Sequence, residues 1–364
     1  MNQKYANLLV NYCLSIKEND SVYINASYLA EPLLLEVAKA VYLAGGHPYF
    51  NIELNGLQDL LLSYGQEHQL KQVNPMKKIA FEQFDAYLNV RAPFGRGDDE
   101  KESPNPEKAK IFQQSQAVLN KLYFERIGNG SMRRSLCQYP TQAGADDAEM
   151  TLEEYTNFVY QSCFLLYEDP VAKWLEVRKK QQVYVDYLNQ VSDVQYKGKN
   201  IDVRFSVAGR TWINSDGRAN MPSGEVFSAP IEDSVNGTVY FSYPTIYMGK
   251  DVEGVTLEIK DGYIEKWDAK VGKEILDKVF AVDGARRFGE VAIGTNYNIQ
   301  RTTRNILFDE KIGGSIHMAV GQSYAQCGGK NESTVHWDMI ADMKDGGEIW
   351  ADGKLIYQNG QFLI

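Results

Sequence analysis

Cysteine and histidine are scarce in this chain, four of each in 364 residues. Cys13, Cys137, Cys163 and Cys327 lie far apart and form no CxxC pair. Neither a disulfide framework nor a thiolate zinc site is therefore encoded, and reduced, buried thiols of a cytoplasmic protein are expected. Long apolar runs are missing as well: no stretch approaches the roughly 18 uncharged apolar residues that a membrane span needs. The opening segment from Met1 to Val10 is broken by Asn7 and lacks a basic leader and a small-residue cleavage pattern, so no secretory leader is expected. Positive charge is in deficit. Lys and Arg number 38 against 48 Asp and Glu, a formal charge of −10, which argues against a nucleic-acid partner. The glycine-rich nucleotide loops, the HExxH helix and the GxSxG elbow are all absent. The tripeptide Arg96-Gly97-Asp98 falls in the polar stretch from Gly95 to Glu102 and reads as a solvated loop.

What is present is ordinary globular material, 44% hydrophobic and 24% charged, in a length that suits two domains. The first part alternates strand and helix. Ser21–Ala26 reads as a buried strand, Glu31–Ala44 as a helix with Pro32 at its start and Gly45-Gly46 at its end, and His47–Leu54 as the returning strand. Such a βαβ unit implies parallel pairing. A third strand is expected over Asp85–Val90, a helix from about Pro106 to Leu122 and a fourth short strand around Leu136. Two further helices follow, near 151–164 and 169–191. The Thr151 to Glu154 capping box opens one, and the Asp169-Pro170 start opens the other. From Ser192 onward, turn dipeptides separate β-rich runs, with one helix around Gly272–Val279. The fold class is thus an α/β N-terminal domain with an open parallel sheet, residues 1–192. A β-rich α+β domain, residues 193–364, follows it.

Two of the four histidines sit in polar or strand-start contexts, His47 before Pro48 and His68 in Gln66–Gln69. The other two are embedded in apolar, glycine-bearing segments, His317 in Gly313–Gly321 and His336 in Ser333–Ile340. His336 is followed two residues later by Asp338, and i, i+2 residues of a strand point to one face, so imidazole and carboxylate would converge. Glu225 and Glu290 lie in similar segments, Met221–Pro230 and Phe288–Gly294. A carboxylate in an apolar strand is costly unless paired, protonated or bound to a cation. Three carboxylates and two imidazoles without a thiolate form a metal-ligand set suited to Zn²⁺, Co²⁺ or Mn²⁺.

At these residues the sequence resembles the thermophilic-type metallo-aminopeptidases, the AmpS, AmpT and PepS group of leucyl-type aminopeptidases. The resemblance rests on Asn220–Pro230, Gly289–Gly294, Lys311–His317 and His336–Asp338, and on the closing run Glu348–Gly360. It is strong from about residue 200 to 364. It implies metal ligands at Glu225, Glu290, His317, His336 and Asp338, and it places the family's tyrosine at Tyr324. It also implies two divalent metal ions, a homodimer, and peptide substrates with a free N-terminus. The stretch between His317 and His336 is shorter than the family pattern, which puts the rim of the substrate pocket in doubt. The implied chemistry is hydrolysis of the N-terminal peptide bond by metal-activated water, with Glu290 as the bridging carboxylate. Glu225 either serves as a ligand alone or also takes the water's proton. Two rival readings stay open, another dinuclear hydrolase such as an amidase or phosphoesterase, and a non-enzymatic metal-binding protein.

Overall fold

A computed structural model describes residues 1–95 and 105–364; Arg96, Gly97 and Asp98 lie outside the described residues. The chain divides into two compact units, Met1–Val171 with Arg218–Met221, and Ala172–Gly217 with Pro222–Ile364.

The first unit opens with helix α1 (Asn2–Asn7) and a π-helical turn (Leu8–Cys13). Its sheet starts with β1 (Ser21–Ser27). Helix α2 (Glu31–Leu43) carries Pro32 in its first turn, where a missing N–H costs nothing. It leads to β2 (His47–Glu53), which pairs parallel with β1 from Ser21↔His47 to Ser27↔Glu53. Three helices, α3 (Leu57–Tyr64), α4 (Glu67–Leu70) and α5 (Pro75–Gln83), precede β3 (Ala86–Arg91). Helix α6 (Pro106–Gly128) and β4 (Arg133–Gln138) come next, with α7 (Gln142–Asp147) and α8 (Leu152–Ser162) after them. Tyr23, Phe81 and Leu119 pack together where α5 and α6 cover one sheet face. The capping box of α8 is formed as expected, with Thr151 and Glu154 satisfying each other's backbone amides.

Helix α9 (Pro170–Leu188) begins the second unit. Tyr184, Val185 and Leu188 join that unit's core. The expected boundary near 192 would cut the helix from the sheet it packs on; the observed division falls near its start instead. The core lies between two antiparallel sheets. The eight-stranded one is built from β5 (Asp193–Gly198), β6 (Ile201–Ser206), β10 (Asn236–Phe241), β13 (Val255–Lys260), β14 (Tyr263–Asp268), β18 (Glu348–Ala351), β19 (Lys354–Gln358) and β20 (Gln361–Phe362). The five-stranded sheet runs β17 (His336–Asp342), β16 (Ser315–Gly321), β15 (Phe288–Gly294), β9 (Glu225–Ser228) and β7 (Ile213–Ser215). The two residues of β8 (Asn220–Met221) pair instead with β4, completing the parallel sheet of the first unit in the order β2-β1-β3-β4-β8. A small hairpin, β11 (Thr245–Tyr247) with β12 (Lys250–Val252), and two short helices, α10 (Lys273–Val279) and α11 (Ile306–Asp309), complete the chain.

Every residue of β15 and β16 is buried. Alternation still sorts their side chains. Val291, Ile293, Ile316, Met318, Val320, Trp337, Met339 and Val226 belong to the main core. The intervening positions Glu290, His317, His336, Asp338 and Glu225 therefore share the opposite face.

Candidate metal centre

Register explains how residues far apart in sequence meet on that face. Glu290 pairs with Ala319 and Ala319 with Asp338, so the two carboxylates flank a methyl group on the middle strand. Ala292 pairs with His317 on one side and Phe227 on the other, and Gly294 pairs with Glu225. Small residues thus occupy the positions between the polar ones and leave room above the sheet.

Two glycines set the approach of the glutamates. Gly224 has φ +115°, and a Cβ there would come within 2.7 Å of the Asn296 Cβ. Gly289 sits at an irregularity in the pairing of β15 with β16, where a Cβ would lie 2.2 Å from the Gln322 carbonyl oxygen. Neither position accepts a side chain without displacing backbone.

The five residues named from the sequence come together. His317 Nε2 lies 3.1 Å from Glu225 Oε2 and 3.6 Å from Glu290 Oε1. His336 Nε2 lies 3.4 Å from Glu290 Oε2 and 3.5 Å from Asp338 Oδ2. Donor atoms of Glu225, Glu290 and His317 fall within 4.8 Å of one another, as do those of Glu290, His336 and Asp338. Glu290 belongs to both triads, with one oxygen toward each histidine. A further triad joins Glu310 to His317 and Asp338. His317 is wholly buried, whereas the His336 side chain is 27% exposed, so the cluster opens on the His336 side. Tyr324 stands at that opening. Its hydroxyl is 3.4 Å from His336 Nε2, and its ring meets those of His336 and Phe227 edge-on. The remaining histidines, His47 and His68, are exposed, lie in the first unit and belong to none of these triads.

Several buried atoms of the cluster have no hydrogen-bond partner: Glu225 Oε2, Asp338 Oδ1 and both ring nitrogens of His317. Glu225 Oε2 and His317 Nε2 are close but not aligned for a hydrogen bond. Orphaned buried carboxylate oxygens are costly, and a cation among them removes the cost. His336 Nδ1 is 2.8 Å from the Gln322 carbonyl, which can only accept, so Nδ1 carries the proton. That leaves Nε2 aimed at the carboxylates, the orientation a metal-ligating imidazole needs. The donor set fits a divalent metal.

Electrostatics agree. Burial alone would lower both imidazoles, but the adjacent carboxylates reverse this. Glu225 and Glu290 raise His317 to about 10, and Asp338 and Glu290 raise His336 to about 10. Burial likewise pushes Glu290 up, and the two imidazoles overcome it and hold the carboxyl at about 2. Glu225 is lowered against burial by Lys311 and His317. Asp338 is raised, chiefly by burial, with His336 opposing. The raised imidazoles and the lowered glutamates share one cause, carboxylates that favour positive charge beside them.

Sequence reading passed over three supporting residues. Gln181 of α9, almost fully buried, donates to the Asn214 side chain and to the carbonyls of Ser215 and Glu225, and accepts from Thr295. Gln322 orients His336. Lys311 sits with its Nζ 3.1 Å from Glu225 Oε1. A lysine and two glutamines in polar segments ordinarily read as solvated, so only the Lys311–His317 motif itself hinted at any of them.

Comparison with known proteins shows the family of the chain. A family model described as thermophilic metalloprotease (M29) matches residues 1–362. Aminopeptidase 2 of Geobacillus stearothermophilus is 28% identical across 99% of this chain and 97% of its own length. Aminopeptidase AmpS of Bacillus subtilis is 26% identical across 98% and 97%. The solved structure of wild-type AmpT from Thermus thermophilus superposes with a TM-score of 0.84, covering 100% of this chain and 99% of that one at 24% identity, and so shares the fold. The two-unit α/β and β-rich architecture expected from the sequence is therefore the architecture found. With the family model spanning nearly its whole length, the chain belongs to the thermophilic metalloprotease (M29) family and is a peptidase of the metallo-aminopeptidase kind.

Proposed function

We propose that the protein is a dinuclear metal-dependent aminopeptidase that releases N-terminal residues from peptides, with Glu225, Glu290, His317, His336 and Asp338 as ligands. The observation that carries this reading is the pair of donor triads sharing Glu290, whose two oxygens face different histidines. Two divalent cations held there would polarise the scissile carbonyl and acidify a water molecule at neutral pH.

The chain's own residues do the rest. Glu290 keeps the two halves of the centre at one spacing. Gln322 holds His336 in the tautomer that turns Nε2 inward. The substrate enters on the His336 side, since His317 is sealed at the back. There the Tyr324 phenol, beside His336, donates a hydrogen bond to the oxygen that gains charge as the carbonyl carbon becomes tetrahedral. Glu225 or Glu290 accepts the proton lost by the attacking water. The family resemblance further supports a homodimer acting in the cytoplasm.

The test is hydrolysis of an aminoacyl anilide beside its N-acetylated form, before and after chelation. Activity on the free-amine substrate should vanish on chelation and return with Zn²⁺, Co²⁺ or Mn²⁺, while the blocked substrate stays intact. Full activity in protein shown by elemental analysis to be metal-free would refute the proposal. Cleavage of the blocked substrate at an equal rate would move it to another class of hydrolase.

A further inference from the structure

Lys311 is wholly buried, and no other lysine among the described residues is buried. Its ammonium touches two carboxylates, Glu225 Oε1 at 3.1 Å and the side chain of Glu310. Both ends of the Lys311–Glu225 contact are tied to one strap. Asn296 N–H donates to the Lys311 carbonyl, and Asn296 Nδ2 donates to the Ser223 carbonyl. The neighbouring Thr295 N–H donates to the Gly224 carbonyl. The backbone on each side of the ion pair is therefore fixed independently of the pair itself.

Glu225 is divided by this contact. Oε1 is occupied by the ammonium, and Oε2 has no hydrogen-bond partner and lies 3.1 Å from His317 Nε2. We propose that Lys311 is a positioning residue of the centre, a resident cation that locks Glu225 through Oε1 and presents Oε2 alone to the His317 side. Its consequence for metal binding rests on the dinuclear reading above; the ion pair itself does not. Removing the ammonium from a buried carboxylate that it contacts directly is strongly destabilising, because the remaining neighbour, His317, lies on the other oxygen. Lys311 therefore keeps Glu225 in place before any cation arrives, and a cation arriving at Oε2 finds the carboxylate already oriented.

The full-length chain is melted after dialysis against a chelator and again with saturating Zn²⁺. Lys311→Met should lower the melting temperature of the metal-free protein by about 5–15 °C. The loss in the zinc-loaded protein should be clearly smaller, because zinc supplies Glu225 with the charge it lacks. Lys311→Arg, which keeps the charge, should fall between Lys311→Met and the parent. A double-mutant cycle with Glu225→Gln in metal-free protein should show that the double variant loses less than the sum of the singles. Equal losses with and without zinc would mark Lys311 as a packing residue and overturn the proposal, as would an additive cycle. If zinc raises the melting temperature of neither parent nor variant, the metal reading fails, and the metal-free cycle alone decides the role of Lys311. Should Lys311→Met not fold, the neutral combination of Glu225→Gln, Glu310→Gln and Lys311→Met should fold; its failure would also overturn the proposal.

Discussion

Tyr324 and Asp338 occupy opposite situations at the cluster, one at the mouth and one on its floor, and substitution should separate their roles. Tyr324 is 39% exposed, and its hydroxyl faces His336 Nε2. If it stabilises the developing oxyanion, Tyr324→Phe should cut kcat by about 10²–10³-fold with metal content and KM little changed. Loss of metal instead would make it a ligand, and a wild-type kcat would remove it from the chemistry. Asp338 is 7% exposed, with one oxygen 3.5 Å from His336 and the other orphaned. Asp338→Asn keeps the shape and removes the charge, so zinc affinity measured by chelator competition should fall by about 10–100-fold or more. Unchanged affinity would mean that Asp338 is not a ligand. The i, i+2 pairing of His336 with Asp338 was legible in the sequence because strand alternation is local. The pairing of Glu225 with Lys311 was not. A lysine beside a glutamate and close to two glycines looks like a surface turn, yet the connection between α11 and β16 buries it against Glu225.

Among the elements, the five-stranded sheet does the assembling, and its middle strands carry small residues where ligands must reach across. Ala319 lies between Glu290 and Asp338 in register. Ala319→Leu would fill the space above it at an overpacking cost of about 1–3 kcal/mol. The protein should remain folded by circular dichroism, while elemental analysis shows less bound metal. Normal metal content in that variant would contradict a convergence of the two carboxylates over Ala319. The sequence marked Phe288–Gly294 and Gly313–Gly321 as apolar segments bearing one ionisable residue each, which is the pattern of strands buried on both sides. It did not reveal which strands are neighbours. Hydrogen-bond register over long sequence separations is set by competition among all strands for partners, and a single segment holds no record of it.

For the whole molecule, helix α9 belongs with the β-rich unit, supplying Tyr184, Val185 and Leu188 to its core and Gln181 to the carbonyl of Glu225. A chain from residue 169 to 364 should therefore melt cooperatively, whereas one from 193 to 364 should lack a cooperative transition. Equal behaviour of the two would show the helix to be dispensable and would favour a boundary near 192. Composition, the βαβ pattern, the helix start signals and the five polar residues in apolar settings were all determined by the sequence itself, because each depends on residues within a turn or a strand of one another. The return of β8 to the parallel sheet, the transfer of α9 to the second unit, the sharing of Glu290 between two histidines and the burial of Lys311 against Glu225 were decided only by tertiary structure. They follow from which apolar faces cover each other and which backbone groups pair, and those choices are made by the folded chain as a whole.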